Sequence, residues 1–68
     1  MSMYMVVDPE SELTVATLVK PSTRWMAMFW DGRGNFLETQ FFRSRKAALE
    51  SVSAHCQRLG VPVRNYLA

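Results

Sequence analysis

Every residue from Trp25 to Trp30 is apolar, and the run stops abruptly at Asp31-Gly32-Arg33-Gly34-Asn35. Two glycines that accept positive φ, set between two apolar runs, predict a β-hairpin over residues 24–42. Side chains alternate across a strand. Trp25, Ala27 and Phe29 therefore project to one side, and Met26, Met28 and Trp30 to the other. Both sets are apolar. That is the tightest constraint on the fold, because one helix can shelter only one face of a small sheet. A chain of 68 residues is one domain, 1–68. Such a chain buries only ~60% of the surface its unfolded form exposes. With 49% of its residues apolar, it carries more apolar side chains than one sheet and one helix can hide.

The remaining elements follow from local signals. Met3 to Val7 is β-prone, Asp8-Pro9-Glu10-Ser11 reads as a turn, and residues 12–20 alternate around Thr and Val. Residues 3–20 are thus an N-terminal β-hairpin, closed off by Pro21-Ser22. On the strand from Phe36 to Phe42, Leu37, Thr39 and Phe41 oppose Phe36, Glu38 and Gln40. Phe42 joins the helix side if the strand kinks before Ser44. Ser44 is a good N-cap. The spacing of Ala48, Leu49, Val52, Cys56 and Leu59 by threes and fours makes one helical face. Gly60 ends that helix and Pro62 prevents its continuation, giving a helical segment 44–60. The tail, 61–68, is a short edge strand or an extended arm. The expected class is α+β: an antiparallel sheet of three to four strands in two hairpins, packed on one C-terminal helix.

Composition removes several function classes. One cysteine, Cys56, allows no internal disulfide. A small secreted domain usually depends on several, so a cytoplasmic location is expected. The apolar runs are too short to span a bilayer, and the N-terminus lacks a signal-peptide pattern. His55 is the sole histidine, and zinc needs three or four ligands, so no metal is expected. Cys56 lies on the apolar stripe as an inert thiol, and His55 borders it as a packed or surface residue. No phosphate loop or dinucleotide fingerprint is present. No pair of carboxylates is placed across a pocket. The chain is expected to have no catalytic residue, no cofactor and no small-molecule substrate, and so not to be an enzyme.

Two sets of residues remain as candidate sites. Met26, Met28, Trp30 and Phe36 form the surplus apolar face, with Met3 and Met5 as further contributors. The N-terminal hairpin or the tail could fold over that face, two copies could associate through it, or another protein or a nucleic acid could dock there. The second set is basic. Residues 1–20 carry three acids against Lys20, a balance of −2, while residues 21–68 carry seven bases against three acids, a balance of +4. Arg43, Arg45 and Lys46 surround the N-cap Ser44, where free N–H groups and cations together suit an anion; Arg24 and Arg33 extend the set. The alternative is a solvated basic rim.

The segment Trp25 to Ala48 resembles the Apetala/ethylene-response DNA-binding domain and the related arm-binding domains of phage and transposon integrases. The shared pattern is an aromatic with Ala two residues on (Trp25, Ala27), Asp31 and Gly34 at the hairpin, Phe42 and Ser44 leading into a helix, and Ala47 and Ala48 within it. The resemblance implies a three-stranded sheet packed on one helix, with DNA read by the outward sheet face. Here that face is expected to carry Met28, Trp30, Phe36 and Glu38, of which Trp30 suits a nucleic-acid contact. Glu38 would repel phosphate.

Beside a structural role with no separable site, such as a dimerising cap on a larger assembly, two functions compete on these residues. One is a non-enzymatic protein-interaction module: an adaptor, subunit or inhibitor of the compact kind that mobile elements such as phages encode. It would use the apolar face with Trp30 as anchor, and pair with another protein or with itself as a homodimer. The other is a DNA-binding module that touches phosphates through Arg24, Arg33, Arg43, Arg45 and Lys46.

Overall fold

The computed structural model describes residues 3–62. Four strands and one helix follow in chain order: β1 (Met3–Val7), β2 (Thr14–Val19), β3 (Trp25–Trp30), β4 (Phe36–Phe42) and α1 (Arg45–Leu59). The strands form one antiparallel sheet in the order β1-β2-β3-β4. The α+β class, the two hairpins and the single helix are therefore as the sequence led one to expect. Of the expected tail, residues 63–68 lie outside the described residues, while Val61 is buried in the core.

Two of the three strand reversals are fixed by an Asp side chain. In the β3–β4 turn, Oδ1 of Asp31 accepts the backbone N–H groups of Arg33 at 2.8 Å and Asn35 at 2.9 Å. Its Oδ2 accepts the Asn35 side-chain amide at 3.0 Å. The Asn35 and Arg33 hydrogen bonds hold the Asp31 carboxyl below its ordinary pKa of 3.8. Its charge accordingly supports the turn above that value, and the support fades as pH falls through the lowered pKa. Gly34 sits at φ 91°, where an L side chain would be strained. In the β1–β2 turn, the Asp8 carboxylate accepts the N–H of Glu10 at 2.9 Å, and its carbonyl accepts that of Glu12 at 2.8 Å. Glu12 takes φ 63° there, a left-handed conformation unusual for a residue with a Cβ. The Leu13 side chain packs over Gly34, so the two turns meet at one end of the sheet.

The helix is capped at both ends. Ser44 Oγ accepts the Ala47 N–H at 3.1 Å. At the other end Gly60 has φ 72°, its N–H reaches the Gln57 carbonyl, and the Val61 N–H reaches the Cys56 carbonyl. This pair of bonds satisfies carbonyls that the helix leaves open, and it turns Val61 inward against Cys56. The helix starts where β4 ends, and His55 meets the end of β3. It therefore runs back along the sheet toward the two turns.

One side of the sheet packs on α1. Val6, Ala16, Leu18, Ala27 and Phe29 meet Ala48, Val52, Cys56 and Val61, with Tyr4, Trp25, Phe42, Leu49 and Leu59 at the margin. His55 joins this buried side. Its ring packs edge-on to Phe29 at 5.0 Å, and Nε2 donates to the Trp30 carbonyl at 2.8 Å. Cys56 is fully enclosed, and burial raises its pKa, which keeps the thiol protonated and inert.

Two bulges interrupt the alternation. Val6 pairs with Ala16 and Val7 with Thr14, which leaves Val15 without an opposite residue. Val15 consequently turns into the core beside Ala16 and is fully buried. Likewise Phe29 pairs with Glu38 and Trp30 with Phe36, which leaves Leu37 as the extra residue of β4.

Phe29 is the largest side chain in this core. Replacing it with Ala should cost about 3–5 kcal/mol. A chain of this length holds only about 3–10 kcal/mol in all. Phe29→Ala should therefore be largely unfolded at room temperature by circular dichroism. Ser44→Ala, which loses only the cap, should remain folded with about 1 kcal/mol less stability.

Candidate interaction surface

The register assigns every residue of the second face. Across the sheet, Met3, Val19, Met26 and Phe41 form one row, and Met5, Thr17, Met28 and Thr39 the next. The third row, beside the turns, holds Val7 and Thr14 on one hairpin and Trp30 and Phe36 on the other. These residues alternate with those that pack on α1, so they point away from the helix. The helix touches β2, β3 and β4 from the opposite side. No acidic or basic residue occurs in the three rows.

Much of this face is open to solvent. Met3 is 62% exposed, Met5 47%, Phe36 53% and Phe41 58%. Met26, Met28 and Trp30 are half-buried among their neighbours. Trp30 and Phe36 make an edge-to-face pair with ring centroids 5.6 Å apart. The expected quartet Met26, Met28, Trp30 and Phe36 is thus brought onto one side. Phe36 reaches it only because Leu37 is looped out, which shifts Phe36 onto the side opposite Glu38.

Two readings of β4 change for the same reason. Glu38 faces the helix side, opposite Phe29, rather than the outward face. Gln40 lies on that side too, where it accepts a hydrogen bond from Ser51 of α1 at 3.2 Å and donates one to Glu38. Phe42 reaches the helix side by plain alternation, with no kink. Phe41 is left outward, a large contributor that strand patterning alone placed on the other side.

Thr17, one of three threonines on the face with Thr14 and Thr39, stands near its middle. It is buried, with Met5 and Met28 opposite it on the adjoining strands, and its hydroxyl finds no hydrogen-bond partner among the described residues. An unmet buried hydroxyl costs about 1–3 kcal/mol.

The basic residues do not form one cluster. Arg24 precedes β3 and Arg43 follows β4, at strand ends that pair through Trp25 and Phe42. Arg45 and Lys46 open α1 beside them, with no acidic residue in its first turn. Lys20 belongs to the same end, its Nζ 5.6 Å from the Trp25 ring. Arg33 sits in the β3–β4 turn, at the far end of the sheet, roughly 20 Å away along the strands. Arg45, Lys46 and Glu50 also border a shallow open depression on the outer side of α1.

Among the described residues, no group of three or more His, Cys, Asp or Glu side chains could hold a metal ion. No helix among them is long and apolar enough to cross a membrane. No protein-family model, curated protein or solved structure matches the chain. None of these comparisons supports the resemblance of Trp25 to Ala48 to the ethylene-response and integrase domains; what stands is a four-stranded antiparallel sheet with a C-terminal helix.

Thr17→Val keeps the shape of the side chain and removes the unpaired hydroxyl. It should raise stability by about 1 kcal/mol in urea unfolding, with the slope unchanged.

Proposed function

We propose that this chain is a non-enzymatic protein-interaction module that works through the outward face of its sheet, with Trp30 as its anchor. The observation that carries the reading is an uncharged surface of Met, Phe and Trp side chains standing on the side of the sheet that α1 does not cover. Its footprint is on the order of 300–400 Å², from four strands ~4.8 Å apart and about six residues of ~3.3 Å rise. The largest apolar patch on an ordinary monomer is of this scale, and it is often the functional one. Methionines adapt to the contours of a partner, and a Trp beside a Phe supplies the rigid aromatic area that dominates interface energies.

Changes at the most exposed positions test this reading. A docking face is not needed by the isolated fold, so Phe41→Lys and Met5→Lys should each keep a cooperative melt within about 1 kcal/mol of the parent. Both should also make the protein more soluble. If either change unfolds the domain, the face is part of its own core and the reading fails.

The gathering of Lys20, Arg24, Arg43, Arg45 and Lys46 around the start of α1 supports a second reading, in which that end binds nucleic-acid phosphates. The rows of the sheet face carry no cation to assist it. Binding to duplex DNA should then weaken with salt at a log–log slope near −0.9 per phosphate contact. Absence of binding at low salt would exclude it.

A further inference from the structure

The outward face is one of two features that bear on the partner; the other is how charge is distributed along the strands. At the end where β3 begins and β4 stops stand Lys20, Arg24, Arg43, Arg45 and Lys46, together with the positive N-terminus of α1. At the opposite end stand Asp8, Glu10, Glu12 and Asp31 in the two turns, against Arg33, with the negative C-terminus of α1 above them. Glu50 and Arg58 on α1 soften each pole without reversing it. The uncharged face lies between the poles. A single copy is thus a small dipole with an apolar flank.

Resting on the interaction-surface reading above, we infer that the partner is a second copy of this chain, stacked face to face with its strands running the opposite way. The two-fold axis then follows the row Met5–Thr17–Met28–Thr39. This arrangement sets the basic end of each copy over the acidic end of the other, which is the charge complementarity that a parallel stack would lose. It places Phe41 of one copy over Phe36 of the other, and Met26 over Trp30, where sulfur and ring make favourable contacts. An uncharged surface meets its like with no ion left unpaired. Side chains that stand off the sheet raise each face above its flat footprint. The pair then buries on the order of 1,000 Å² in total, at the lower end of what a specific interface buries. Two stacked sheets of this kind sit ~10 Å apart with strands about 30° from alignment.

Sedimentation equilibrium and thiol crosslinking of the full chain test the arrangement. Sedimentation should give a dimer mass at micromolar concentration. Phe41→Lys should raise the dissociation constant about tenfold or more while the melt of the monomer persists. Raising the salt to about 1 M should weaken the dimer by screening the paired ends. A short bismaleimide should link Phe41→Cys protein to Phe36→Cys protein when the two are mixed. Neither variant should link to itself. The enclosed Cys56 of the parent protein serves as the unreactive control. A link between Phe41→Cys and Met3→Cys proteins in place of that one would mean that like ends lie together, and it overturns the inference. So does a monomer at all concentrations. In that case, a folded Phe41→Lys protein leaves the interaction surface standing with a different partner. An unfolded one removes both.

Discussion

Close contact between small side chains holds this molecule together. Ala16 and Ala27 on the sheet and Ala48 on the helix are all fully buried, and they let α1 approach the strands closely enough for Leu18, Phe29, Val52 and Cys56 to interlock around them. A larger residue at any of the three would lift the helix off the sheet, because a filled core has no slack for extra methyl groups. Everything else follows from this seam. It commits one set of alternating side chains to the helix, and thereby commits the other set to the outside. The open face is the geometric complement of the core.

Much of this was legible in the sequence because the signals were local. The helix limits rest on Ser44, Gly60 and the spacing of Ala48, Val52 and Cys56, and each is a property of a few neighbouring residues. The β3–β4 turn rests on Asp31 and two glycines. The two apolar sides of β3 could be assigned by counting in twos. Strand β4 was harder. Phe36-Leu37-Glu38-Thr39-Gln40-Phe41-Phe42 has no clean alternation, so nothing in it marks the looped-out Leu37. That one residue moves Phe36 outward, and the register beyond it sets Glu38 against the helix side. A bulge is decided by how two strands meet, and a single strand does not encode it. Val15 shows the same effect: the bulge in β2 sends it into the core with its neighbour Ala16, which counting in twos cannot anticipate.

The separation of the basic residues also escaped a linear reading. Arg33 lies nine residues after Arg24 and ten before Arg43, and nothing in that spacing tells near from far. The hairpin brings Arg24 and Arg43 together and carries Arg33 to the opposite end. Folding thus converts a modest excess of positive charge into polarity along the strands. Histidine shows the reverse case. His55 is the next residue to the apolar stripe, and its position over the end of β3, beside Phe29, turns it into a packed side chain whose Nε2 proton goes to the Trp30 carbonyl.

The borders of the sheet set one more condition on any association. Among the described residues β1 and β4 are the outermost strands, and β1 (Met3–Val7) has neither a proline nor a lysine to discourage a newcomer. Edge pairing can repeat without end and leads to fibres, whereas stacking through a two-fold axis saturates both participants at once. Occupying the broad side of the ribbon would bury Met3 and Met5, the side chains that also make the narrow side sticky. A closed pair would in that way suppress open-ended growth.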